Sequence, residues 1–411
     1  MDWRIGWVPF SALLAAQTAQ AQSVGYEEIL AVARGEQPVL EAGALRVQSR
    51  REAAEAADEL PDPRLRAGVM NLPVSGPAAF ELDRQLPTQV AIGIEQEIPN
   101  LARRRARYGV ASSEVRVAEA RLGMAERNLL ASAGTAWVSL FYAQERLDLA
   151  STALDELRAF IPVANSAVAS GSARPAESLV IRRELLGIED AATSIEAERE
   201  TAQAQLSRYI PFPDPVALGE APTAALDENQ LRFELEGNPE LILADAERDR
   251  AEAGVALARA EKRPDFGVSV TYGRRDQAFG DAVSVMGSIT LPIFTDRRQN
   301  PRIAAAEADA AAALAEREDR RRALVADFEA DLATWRSTMR QWRRARDELL
   351  PLARDRVDLE TASFAAGRAD LVDVIAAKSA LALLELEILE REQAAVQAAV
   401  KLQLTYGEGR P

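Results

Sequence analysis

The side chains whose type and spacing could do chemistry are charged groups gathered at two glycine-centred turns. The first, Ala-Ser-Gly-Ser-Ala-Arg-Pro over 169–175, carries Gly171 and Arg174, with Glu177 just beyond it. The second, Ala-Ala-Gly-Arg-Ala-Asp over 365–370, carries Gly367, Arg368 and Asp370, with Asp373 beyond. Glu177 and Asp373 each stand six residues after their glycine, so they hold equivalent places. Guanidinium and carboxylate groups at such spacing make ion pairs and hydrogen bonds that can also be broken. That chemistry is non-covalent, and composition removes most other kinds. With no Cys and no His, thiol chemistry, disulfides, zinc sites and His-based acid–base catalysis are excluded. No spaced Asp/Asn loop, paired carboxylates, phosphate loop or nucleophile arrangement stands out. Neither an enzyme nor a cofactor or metal site is expected.

A second charged group is Arg103, Arg104 and Arg105, with Arg107 close by and Arg297 and Arg298 as counterparts. Each set lies at the start of a very long helical stretch. From about 101 to 165, Ala, Leu, Val and aromatic positions recur at helical spacing among Glu and Arg, and the same holds from about 301 to 365. Some 60 residues at 1.5 Å each would reach roughly 90 Å, so such helices need partners along their whole length. A formal charge of −15 argues against nucleic acid as a partner. Aromatics at 5% and charged residues at 27% suit amphipathic helices with solvated faces. Trp137 and Trp335 occupy similar places in the two stretches and are expected to pack helices. Glu114, Glu119 and Glu126 are expected on a solvated or pore-facing surface.

The other elements come in an order that occurs twice. Residues 1–21, with Arg4 before an apolar run and Ala19-Gln20-Ala21 at its end, predict a secretory signal cleaved before Gln22. A first repeat is expected over 22–210, a linker over 211–226, a second repeat over 227–406 and a tail over 407–411. Within the first, a short helix from Tyr26 to Arg34 precedes another that Pro38 starts and Pro61 closes. Strands are predicted at about 65–72 and 89–97, then the long helix, the turn at 169–175 and a further helix. The second repeat has strands at about 265–273 and 282–291, the second long helix, the turn at 365–370 and a helix ending near Leu404. Pro38 aligns with Pro239 and Pro63 with Pro264, both 201 residues apart, and Gly171 aligns with Gly367 at 196. Internal duplication follows.

The lengths constrain the architecture. The helix after each turn, about 34 residues, and the helix before each strand pair, about 23, together match one long helix, so two shorter helices could line it. Each strand has one apolar face and one small, polar face, and about nine residues suffice to cross a bilayer when tilted. Four strands cannot close a barrel, and an open edge is not tolerated in lipid. Several copies must pool their strands, and three would give 12. No stretch is long and apolar enough for a spanning helix.

The order of motifs resembles the outer-membrane factor (TolC) family, closest in type to the CusC and CzcC efflux proteins. It is carried by Asn-Pro-Glu-Leu at 238–241, the Pro-to-strand junctions at Pro63 and Pro264, and "IEQEIPN" and "ITLPIFTDRR" entering the long helices. The two glycine turns add to it, and the likeness covers the whole mature chain. It implies a mainly α fold with a small transmembrane β part. A homotrimer would share a 12-stranded β-barrel in the outer membrane and a long α-helical barrel extending into the periplasm. The implied function is passive conduction in a tripartite efflux system, with a periplasmic adaptor (membrane fusion protein) and an inner-membrane pump of the RND type. The alternative is a periplasmic adaptor or coiled-coil scaffold without a pore; a cytosolic helical bundle would require the leader to be spurious. Relatives often carry a Cys for lipid attachment after the leader, and without one no lipid anchor is expected.

On this resemblance the two turns form a periplasmic tip. Gly171, Arg174, Glu177, Gly367, Arg368, Asp370 and Asp373 would make its gate, the two arginines pairing with the acids. Arg103, Arg104, Arg105, Arg297 and Arg298 would lie at the membrane interface, against anionic outer-membrane lipid. With few Met and no His or Cys, the channel itself gives no support for soft-metal binding.

Overall fold

A computed structural model of the chain describes residues 23–35, 37–82, 88–170, 174–210, 212–276 and 278–407. The expected leader and Gly171 lie outside them. Two compact units are present. One gathers residues up to Ala33, Ser132–Ala225 and Thr334–Lys401; the other gathers Arg34–Ala131, Leu226–Ala333 and residues from Leu402 on. In chain order the elements begin β1 (Ser23–Val24), α1 (Tyr26–Arg34), α2 (Pro38–Asp58), β2 (Arg64–Met70), β3 (Gln89–Ile98) and α3 (Leu101–Arg158). They continue α4 (Ile161–Ser170), α5 (Pro175–Leu206), β4 (Val216–Ala217), α6 (Glu228–Glu234), α7 (Pro239–Ala260), β5 (Asp265–Arg274) and β6 (Ala282–Thr290). The last are α8 (Gln299–Arg344), α9 (Leu350–Ala365) and α10 (Leu371–Tyr406).

Prolines set many of the boundaries. Pro38, Pro175 and Pro239 each open a helix, where the missing N–H is one that would have no partner. Inside a helix the same residue disrupts. The first long helix, expected to about 165, ends at Arg158, and a turn at Ala159 and Phe160 precedes α4. Pro162 cannot donate to the Arg158 carbonyl, and its ring would crowd that carbonyl. In the second stretch Pro351 stands in the same relation to Asp347. The chain responds there with one π-helical turn, Ala345–Leu349, between α8 and α9.

In the first unit the ends of the long elements pack on a buried cluster of Leu154 and Leu157 from α3, Ala164 from α4, Ile181, Leu185 and Ile188 from α5, and Ile375 and Ala382 from α10. Trp137 is fully buried, and its indole N–H donates to the Val24 carbonyl at 2.8 Å. Trp335 does the same to Ala224 at 2.9 Å. Both tryptophans therefore tether a non-helical segment to a long helix. In the second unit α2 lies along α3, with Arg50–Glu114 at 2.9 Å and Arg51–Glu119 at 2.6 Å. These carboxylates are ion-paired, not merely solvated. The linker is also more ordered than its composition suggests: β4 pairs in parallel with β1, and Asp227 caps α6 through the Asn229 and Gln230 amides.

The second unit also holds a four-stranded antiparallel sheet ordered β2-β3-β5-β6. Its register aligns Leu65 with Ile94, Ile94 with Val270 and Val270 with Val285, so one face is apolar across all four strands. The opposite face carries Arg66, Gly93, Thr271 and Ser284 at the next level.

Candidate functional site

Each turn is built by backbone hydrogen bonding that its sequence makes possible. At the second, Gly367 adopts φ +69° after the last residues of α9. Its N–H donates to the Phe364 carbonyl at 2.9 Å, and that of Arg368 to Ser363 at 2.8 Å. This is a Schellman closure, which needs left-handed backbone at the glycine. Three residues on, Asp373 accepts the Asp370 N–H at 3.1 Å and its own N–H returns to the Asp370 carbonyl at 3.1 Å. The first turn ends the same way. Glu177 accepts the Arg174 N–H at 3.1 Å, and its N–H donates to the Arg174 carbonyl at 2.9 Å.

The two equivalent acids thus close the first turns of α5 and α10, where a carboxylate also complements the helix dipole. The sequence pairs them with Arg174 and Arg368. Within the chain neither arginine forms an ion pair with Glu177, Asp370 or Asp373 among the described residues, and both point to solvent.

The contacts that do join the two hairpins lie one to three turns deeper. The Ser379 hydroxyl, almost fully buried, donates to Glu184 Oε2 at 3.0 Å, while Arg183 holds Glu184 Oε1 at 2.6 Å. Lys378 Nζ stands 3.9 Å from Glu156 and 5.8 Å from the Phe160 ring centre. Sequence reasoning missed this set. Its signal was available, because Ser379 is a lone polar residue in the stripe Ile375, Ala382, Leu386 of α10. On the outer surfaces, Leu179 and Leu186 of α5 and Leu352 and Leu359 of α9 are exposed, each pair one heptad apart.

The basic cluster divides in two. Arg103 reaches Asp265 at 2.5 Å, and Asn100 caps α3 while donating its own amides to the same carboxylate at 2.8 Å. Arg104 donates to the Asp58 carbonyl at 3.0 Å. These two arginines fasten the start of α3 to the end of α2 and the start of β5. Arg105, Arg297 and Arg298 are exposed and make no ion pair among the described residues. Just ahead of the last two, Leu291, Ile293 and Phe294 are exposed as well.

The sheet explains where such groups would act. Its apolar face is open to solvent in the isolated chain, with Ile94 55% and Val285 72% exposed. At about 25 cal/mol per Å², such a face is stable only against lipid or another protein. The charges of the polar face, Arg64, Arg66, Glu95, Glu97 and Asp265, all cluster at the end joined to the helices, where Arg66 pairs with Glu95. Beyond them that face is Gly, Ala, Ser, Thr, Gln and Met. Arg64–Met70 and Ala282–Thr290 leave the outer edges of the sheet unpaired.

An amphipathic antiparallel sheet with free edges, joined to very long helices, suits the membrane part of a channel protein. The comparisons agree. Residues 29–210 and 232–408 match the model of the outer membrane efflux protein family. Over 362 residues the chain is 26% identical to the cobalt-zinc-cadmium resistance protein CzcC of Cupriavidus metallidurans, covering 86% of this chain and 83% of that one. Among solved structures it is similar to CusC (TM-score 0.78, 14% identity, 93% and 92% of the two chains). It is also similar to the open state of the MtrE outer membrane channel of Neisseria gonorrhoeae (TM-score 0.74, 17% identity, 93% and 89%). The chain belongs to the outer membrane efflux protein family. It is an efflux channel of the outer membrane whose helices extend into the periplasm.

Proposed function

We propose that three copies of the chain close one 12-stranded barrel in the outer membrane, and that their duplicated helical repeats form the periplasmic conduit. The observation that carries this reading is the four-stranded sheet with one continuous apolar face and two unpaired edges. β2 of one copy meeting β6 of the next removes every edge. The heptad-spaced exposed leucines of α5 and α9 support the same assembly as seams for neighbouring helices. The test is the mass of the particle extracted from the outer-membrane fraction. Three times the 44.6 kDa chain, less its leaders, is expected; a single-chain particle would overturn the reading.

In this assembly the channel works passively between a periplasmic adaptor and an inner-membrane pump of the RND type and the exterior. Likeness to a cobalt-zinc-cadmium resistance protein supports divalent metal cations as cargo. Deleting the gene should then sensitise cells to zinc or cobalt, and unchanged resistance would argue for another cargo.

The gate lies at the tip turns. Because Glu177 and Asp373 already cap their own helices, Arg174 and Arg368 are left to bridge to acids of neighbouring hairpins. Arg368→Ala should raise single-channel conductance. Asp373→Asn should raise it too while keeping a side-chain acceptor for the cap, and so separates charge from helix stability. Unchanged conductance in both would remove these residues from the gate.

A further inference from the structure

The outward face of β5 runs Phe266, Val268, Val270, Tyr272 and then Arg274. Arg274 replaces the next apolar residue of the series at the hairpin end, away from the helices. Its direction follows from its neighbours. A Cβ on Gly273 would strike the Gln89 side chain on the polar face, so Arg274, one residue on and paired with Val90, projects from the apolar face. β5 is an inner strand of the sheet, so no added strand on either edge covers this face.

The depth fits an interface. From Phe266 to Arg274 is eight residues, about 27 Å along the strand and about 19 Å along the membrane normal at a 45° tilt. Against an apolar band of about 25 Å, Phe266 and Arg274 fall near its two borders, with Tyr272 as the aromatic residue beside the outer one.

Arg274 is also the hairpin guanidinium that makes no side-chain hydrogen bond or close ion pair among the described residues, although Asp281 attracts it through space. Arg275 donates to the Gly280 carbonyl at 2.8 Å. The Asp281 carboxylate accepts the Tyr272 hydroxyl on one oxygen and the Arg275 N–H, at 3.4 Å, on the other. Arg274 is exposed and forms no ion pair among the described residues. A guanidinium on a lipid-facing surface, with its fork unoccupied, matches a phosphate in geometry and charge.

We infer that Arg274 binds a phosphate on the headgroup of an outer-leaflet glycolipid, one site per chain, beside Tyr272 on the outward face of the barrel. The inference rests on the barrel proposed above. The phosphorylated lipid anchors the outer border of the sheet laterally and has no part in conduction.

The test uses the full chain, wild type and Arg274→Gln, extracted from outer membranes and examined by native mass spectrometry after incubation with bisphosphorylated lipid A. Wild type should retain lipid A, and Arg274→Gln should retain about fivefold less, the effect of removing one arginine at an anionic surface. Arg356→Gln, an exposed arginine of α9, should retain it as wild type does. Wild type should also retain about fivefold less of lipid A stripped of phosphate than of intact lipid A, a comparison that needs no variant to fold. Equal retention of intact and stripped lipid, or displacement by millimolar inorganic phosphate, overturns the site. If those results come from a particle of three chains, the barrel stands and only the lipid site falls. A particle of one chain overturns both.

Discussion

Two buried or half-buried acids show how differently one carboxylate can act from another. Asp265 opens β5 and receives the Asn100 backbone and side-chain amides and the Arg103 guanidinium, at 14% side-chain exposure. Removing it leaves Arg103 and Asn100 without their acceptor in a shielded place. Asp265→Ala should cost about 3 kcal/mol, read as a lowered Tm of the purified channel; a loss no larger than that of an exposed pair such as Arg51→Ala would reduce the site to a surface contact. Glu392 of α10 is the opposite case. Burial pushes its carboxyl above the usual carboxylate range, against the lesser pull of the Tyr142 hydroxyl and Arg346. The same burial, with Glu392 beside it, pushes the Tyr142 hydroxyl up. A carboxyl with a raised folded pKa binds its proton more tightly in the folded state. Its penalty is therefore absent below the unfolded pKa of about 4.3 and grows as pH rises from there to the folded value. Glu392→Gln should raise Tm at pH 7, and the gain should fade below about pH 4. A gain that persists at acid pH would point to packing and not charge.

At the scale of elements, the close approach of β3 and β5 has a particular cause. A Cβ on Gly93 would lie 2.5 Å from Thr271 Oγ1, 2.8 Å from the Val270 carbonyl and 3.1 Å from Thr271 Cα, so backbone as well as a side chain blocks it. Gly93→Ala should cost about 2 kcal/mol, seen as a lower temperature for loss of the heat-resistant particle on a denaturing gel. Gly287→Ala, with open space at its Cβ, should change that temperature little. The mainly helical class and the four strands were legible because each rests on a local period: Val90, Ile92 and Ile94 alternate, and the long helices repeat their apolar positions. The break at Phe160 and the π turn at Ala345–Leu349 were missed, although Pro162 and Pro351 stand in the sequence. A helix period carries on across a proline even where the hydrogen bond does not. The β1–β4 pair, two residues each, has no period at all. It exists because Trp137 binds Val24, and Gln144 exchanges hydrogen bonds with the Ala217 backbone. The tip acids were visible as charges, but their role as caps depends on where α5 and α10 begin, which pairing by charge ignores.

At the scale of the molecule, the whole reading turns on which face of the sheet meets lipid. The register gives a sharp contrast between adjacent residues of one central strand. Val270 lies in the middle of β5 on the apolar face, level with Ile94 and Val285. Ser269, next to it, lies on the other face, level with Glu95 and Met286. A lysine at the bilayer midplane costs about 2–4 kcal/mol, and the proposed three-chain barrel would carry that cost three times. A lysine facing an aqueous lumen keeps its hydration. Val270→Lys should therefore yield no assembled particle in the outer-membrane fraction, whereas Ser269→Lys should assemble and change only ion selectivity. The two substitutions add the same charge to neighbouring positions of the same strand, so general damage to folding cannot produce the difference. If Ser269→Lys were the variant lost and Val270→Lys the one that assembled, the faces would be reversed. Arg274 would then point into the lumen, and Arg64, Arg66, Glu95, Glu97 and Asp265 would face lipid, where five charges per chain could not be held.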